Sequence, residues 1–175
     1  MKLGVILILV LSSLALAAQA SPDGINRQGQ TDAYFSSEFT TDRIVASIIG
    51  ESCDDAVFRL TVENADSEQL FNRQIPLQRI YPCDVFDRDP DEGLRSCTRI
   101  VNYALGLRAA GSIPCGAEPT DCSKFPFLAR LRKMHGQVLC FWTGSESIDC
   151  VAFDAVTETV VNVRSREDGG LDTVP

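Results

Sequence analysis

Histidine is nearly missing from this sequence: His135 is the only one, beside a single tryptophan, Trp142, and two methionines. One imidazole cannot build the usual histidine-containing zinc sets, and the seven cysteines include no C-x-x-C pair to replace them. Hydrolytic Ser–His and Cys–His mechanisms meet the same difficulty. His135 stands in FLARLRKMHGQ, among arginines and a lysine rather than beside a carboxylate that would orient a triad base. G-x-S-x-G, H-E-x-x-H and a phosphate-cradling glycine loop are also missing. Asp and Glu are plentiful enough for a carboxylate-pair hydrolase, but abundance carries no geometry. No residue is therefore assigned a catalytic role.

Basic residues are in deficit as well, 16 Lys and Arg against 24 Asp and Glu, for a net charge of −8. Nucleic acid is not an expected partner, because phosphate binding needs a cationic surface to displace counterions. There is no N-x-S/T sequon, so the usual asparagine glycan is not expected. Past residue 20 no run is long and apolar enough to span a bilayer, and the C-terminus carries no hydrophobic tail, so no stable membrane anchor is expected.

The one long apolar run stands at the start. Met1 and Lys2 precede LGVILILVLSSLALA, Leu3 to Ala17, which has no charge, and Ala18-Gln19-Ala20 closes it. Small side chains at Ala18 and Ala20 meet the need of signal peptidase, so residues 1–20 read as a secretory signal cleaved before Ser21. A spanning helix needs about 20 apolar residues, more than this run supplies. Removal of the leader takes away Lys2 and no acid, leaving 15 basic against 24 acidic side chains. The destination is the extracellular space or a bacterial periplasm.

All seven cysteines lie in the mature part, and an oxidising compartment makes disulfides their expected state. Six cysteines already allow fifteen pairings, and neighbouring pairs are the simplest choice. Cys115 and Cys122 bracket the turn-forming GAEPTD, Cys83 and Cys97 bracket an acidic loop, and Cys140 and Cys150 sit in apolar runs on either side of GSES, facing across a hairpin. Cys53 is left over. It is either a free or buried thiol or the link in a disulfide-bonded homodimer.

The pattern of elements predicts an α+β fold: one disulfide-stabilised domain over residues 34–164, with a mainly antiparallel sheet and one or two helices. An all-β sandwich or barrel with helical inserts is the alternative. Residues 21–33 and 165–175 read as flexible ends. RIVASIIG (Arg43 to Gly50) and AVFRLTVE (Ala56 to Glu63) read as hairpin strands, the second with Phe58, Leu60 and Val62 on its buried face. QIPLQRIYP (Gln74 to Pro82) extends the sheet at an edge because of Pro76. Leu94 to Ala110 has helical spacing, with Ser96 as N-cap and Gly111 as stop, and Phe127 to His135 forms a second helix. The sequence then returns to strands in QVLCFWTG, SIDCVAFDA and ETVVNVRS.

CDVFDRDPDEGLRSC, Cys83 to Cys97, is the most distinctive constellation. Asp87, Asp89, Asp91 and Glu92 are closely spaced on what reads as a turning backbone, an arrangement that can converge oxygens on calcium. The match to a helix-loop-helix calcium motif fails at Pro90, at Gly93, one place late, and at Thr98, where a bidentate Glu should stand. Calcium, if held, is held weakly; otherwise the segment is a solvated acidic loop. Lys124 to Met134 reads as an amphipathic helix with Phe125, Phe127, Leu128 and Leu131 inward, and Trp142 beside Phe141 as core or as a sugar-stacking platform. The function expected is that of a secreted, non-catalytic binding or structural protein, with an extracellular protein or matrix partner. A secreted hydrolase or protease inhibitor is the alternative, an inhibitor presenting the loop from Cys115 to Cys122.

Overall fold

A computed structural model describes residues 24–112, 126–134 and 136–163. Four strands open the chain: β1 (Ile25–Ala33), β2 (Asp42–Gly50), β3 (Val57–Glu63) and β4 (Gln69–Pro76). They pair antiparallel in sequence order. In β3 Phe58, Leu60 and Val62 are completely buried while Arg59 is exposed, the alternation expected of a half-buried strand.

Much of the segment expected to be flexible, residues 21–33, is instead the edge strand β1, which pairs along its full length from Ile25 opposite Gly50 to Ala33 opposite Asp42. Its residues are mostly polar and give no hydrophobic signal; the backbone ladder and the burial of Ile25 hold it. Gly29 lies where a Cβ would come within 2.6 Å of the Leu105 side chain, so its missing side chain lets the later helix approach the strand. The turn from β1 to β2 is anchored by Asp42, which is wholly buried. Its carboxylate accepts from the backbone N–H groups of Phe35 (2.9 Å) and Ser36 (2.6 Å) and from the Ser36 hydroxyl (2.7 Å).

Three helices follow: α1 (Leu77–Ile80), α2 (Cys83–Arg88) and α3 (Pro90–Ala104). The boundaries of the main helix differ from the expected Leu94 to Ala110. Asp89 is its N-cap, accepting from the Glu92 N–H at 3.0 Å, Pro90 fills the first turn, and Asp91 and Glu92 lie at the positive end of the helix dipole. Ser96 is not a cap; it is buried inside the helix with its hydroxyl donating to Glu92 Oε1 at 3.3 Å. The acidic, proline-containing run read as a loop is thus the end of one helix and the start of the next. Gly93 allows their packing, since a Cβ there would meet the Phe86 ring at 2.4 Å.

After α3 the chain builds a second antiparallel sheet from β5 (Leu107–Ala109), β6 (Gln137–Trp142), β7 (Ile148–Asp154) and β8 (Thr159–Asn162), again in sequence order. The described residues therefore form two four-stranded antiparallel sheets with short helices, an α+β arrangement in which the expected single sheet is divided. β6 is buried on both faces, which explains why VLCFW is continuously apolar rather than alternating. Leu139 and Phe141 join the core formed by the first sheet and α3, and Phe71 meets Phe141 with ring centroids 5.8 Å apart. Val138 and Cys140 face the other way, into a smaller core with Leu128 and Leu131 of α4 (Pro126–Lys133). α4 is amphipathic as expected, with exposed Arg130 paired to Asp154 at 3.0 Å. Phe125 and His135 lie outside the described residues, as does the expected flexible tail at 165–175. Among the described residues no helix is long and apolar enough to cross a membrane.

Candidate functional site

Two disulfides are formed among the described residues. Cys140 and Cys150 are direct cross-strand neighbours in β6 and β7 and are bonded, as the hairpin reading requires. The expected pair Cys83–Cys97 does not exist. Cys83 is bonded to Cys53, which sits in the turn between β2 and β3, and among the described cysteines Cys97 is the free thiol, buried in α3 against the first sheet. Sequence proximity misled because α3 turns Cys97 toward the core, whereas α2 begins beside the β2–β3 turn. Cys53 is therefore unavailable for a disulfide-linked homodimer. The pair Cys115–Cys122, and with it the inhibitor loop, lies outside the described residues.

The candidate calcium ligands are not gathered at one point. Asp87 is exposed on α2, Asp89 is committed to capping α3, Asp91 is exposed in its first turn, and Glu92 binds two arginines. The Arg95 guanidinium, 2.9 Å from Glu92, holds that carboxyl below its usual range, with Arg99 contributing. Among the described residues no group of three or more His, Cys, Asp or Glu is arranged to hold a metal ion.

A different constellation does converge. An open cleft of about 320 Å³ lies between the end of α1, one face of α3 and the β6–β7 hairpin. Ile80 and Ile100 are buried at its base, and half-buried Tyr81, Tyr103 and Trp142 form its walls. Exposed Arg99 and Ser145 stand at the mouth, and the Ser96 hydroxyl borders it. A volume at this level is the lower end of small-molecule sites, and the apolar lining with few polar groups is their usual composition.

Each wall has a separate support. Tyr81 packs edge-on against Phe86, centroids 5.8 Å apart, and stands two residues before the Cys53–Cys83 bond. Tyr103 is 5.6 Å from Trp142, and the Arg108 guanidinium sits 4.0 Å from its ring centroid, a cation–π contact that steadies the ring. Trp142 ends β6, two residues beyond the Cys140–Cys150 bond. The Tyr81 and Trp142 walls are thus braced by covalent links close by in the chain.

Of the three aromatic walls only Trp142 is singled out by the sequence, as core or as a stacking platform. Phe141 is core, at 2% exposure, and half-buried Trp142 packs against that core while also lining the cleft. A signal for part of the rest exists in the spacing Ser96, Arg99, Ile100, Tyr103, which forms one stripe of α3 bordering, through Ile100, the core stripe of Cys97, Val101 and Ala104. Tyr81 gives no such signal, since it reaches the site only through the fold.

No protein-family model matches the chain, and no curated protein or solved structure is similar enough to indicate a relationship.

Proposed function

We propose that the mature protein works outside the reducing cytoplasm as a non-catalytic binding protein whose ligand occupies the aromatic cleft. The observation that carries this reading is the meeting of Tyr81, Tyr103 and Trp142 over an apolar base, supplied by three elements distant in sequence. The polar groups of its lining residues are the hydroxyls of Ser96, Ser145, Tyr81 and Tyr103, the Trp142 indole N–H and the Arg99 guanidinium, with no carboxylate or imidazole among them to act as general base. Binding without chemistry suits that lining. The leader at residues 1–20 and the two disulfides support export together, because structural disulfides form and persist in oxidising compartments.

The test uses protein recovered from the medium of cells expressing the full chain. Export predicts a mature N-terminus at Ser21; a product that keeps its leader and stays inside the cell contradicts it. Thermal stability is then followed with a panel of small apolar compounds that are neutral, anionic or cationic. Binding raises Tm by mass action. A rise lost in both Trp142→Ala and Tyr81→Ala supports the cleft. No rise with any compound, or one that survives both substitutions, refutes it.

A further inference from the structure

We infer that the cleft selects a small, mainly apolar carboxylate, with its hydrocarbon part between the aromatic walls and its charged end at Arg99. This rests on the binding reading above and adds the chemistry of the ligand.

The distribution of polarity in the cleft decides the class. Saccharides present a hydroxyl on almost every carbon and need a correspondingly dense set of hydrogen-bonding partners. Here the lining surface is chiefly apolar, isoleucines and aromatic rings, with two serine hydroxyls, one guanidinium and the single polar groups that Tyr81, Tyr103 and Trp142 carry on their rings. Ser96 already gives its proton to Glu92. Most of a ligand's surface must therefore be apolar, with any charge placed where Arg99 stands.

The sign of that polar end follows from Arg99. Its side chain is 68% exposed and spends one nitrogen, Nη2, on Glu92 Oε1 at 3.1 Å. A guanidinium has five N–H donors in a planar fork that fits a carboxylate in two-pronged fashion. Glu92 does not depend on Arg99, because Arg95 binds its other oxygen at 2.9 Å. Arg99 can give donors to a ligand without leaving an acid unpaired. A cationic ligand would meet the same guanidinium and be repelled. The volume of about 320 Å³ matches the lower end of small-molecule sites.

Trp142 is the only tryptophan of the chain and lines the cleft, so its fluorescence reports occupancy directly. The probes are 4-phenylbutanoate, its uncharged amide and the corresponding amine, titrated into the oxidised mature protein. The acid is expected to bind about tenfold more tightly than the amide, as a charge-assisted hydrogen bond at a solvent-exposed position warrants. Arg99→Gln should remove that preference while leaving amide binding unchanged. Arg88→Gln, which removes an arginine that pairs with Asp84 and lies off the cleft, should preserve it. Equal or tighter binding of amide or amine, or a preference that survives Arg99→Gln, overturns the carboxylate assignment and leaves the binding reading intact. If none of the three changes the fluorescence and no compound of the wider panel raises Tm, the binding reading itself fails.

Discussion

Cys53 and Cys83 are bonded with their Cα atoms 5.5 Å apart, joining the β2–β3 turn to the first residue of α2 across thirty positions of sequence. The link closes a loop that contains β3, β4 and α1, and it emerges beside Tyr81. Closing a loop of that length removes unfolded-state entropy equivalent to about 3 to 4 kcal/mol. Replacing both cysteines by alanine should lower unfolding free energy by that order in denaturant titrations and weaken any ligand that contacts Tyr81. The unreduced protein should have the mass of one chain, without a Cys53-linked dimer. Unchanged stability would contradict the pairing.

Cys97 should be chemically silent in the folded protein. Burial pushes its thiol from 9.0 up to about 11, opposed weakly by Arg27. The folded state therefore holds this proton more firmly than the unfolded state. Its contribution to stability is unaffected below the unfolded value, falls as pH climbs from 9.0 toward about 11, and then levels off. The full loss is on the order of 2 kcal/mol. Cys97→Ala should remove that part of the alkaline slope, and an alkylating reagent should reach Cys97 only after denaturation. Rapid labelling of the native protein would show that Cys97 is accessible.

How far the fold is legible in the sequence depends on what kind of physics fixes each part. β3 can be read because Phe58, Leu60 and Val62 alternate with exposed or half-buried residues, and the Cys140–Cys150 bond because one short turn forces the two strands together. β1 is hidden because backbone pairing, not apolar patterning, holds INRQGQTDA in place. The start of α3 is obscured by an Asp-Pro-Asp-Glu run that serves equally well as a loop or as a capped first turn. Cys53–Cys83 and the cleft depend on contacts between distant segments, and spacing along the chain carries no record of those.

Asp42 is a buried carboxylate whose partners are all in the turn after β1. Asp42→Ala leaves the Ser36 N–H without its acceptor and the Phe35 N–H with only the Ala33 carbonyl, which should cost about 2 kcal/mol. Hydrogen exchange should show the loss concentrated at Phe35 and Ser36, with β1 fraying from its Ala33 end. Full protection there would mean that the turn is held by something else.

Asp89 separates the helix reading of the acidic segment from the calcium reading. As an N-cap it should contribute about 1 kcal/mol, lost in Asp89→Ala to the same extent with and without millimolar calcium. A stabilisation of the native protein by calcium that disappears in Asp89→Ala and Asp91→Ala would instead show that the acids gather on the metal.

The cleft itself is tested most directly by mapping backbone amide chemical shifts of the isotope-labelled, oxidised protein during titration with 4-phenylbutanoate. Binding as described should move amides around Tyr81, along the Arg99 to Tyr103 face of α3 and from Trp142 to Ser145, with little change in β1 or β2. Shifts confined to other surfaces, or none at saturating ligand, would contradict the assignment of this cleft as the binding site.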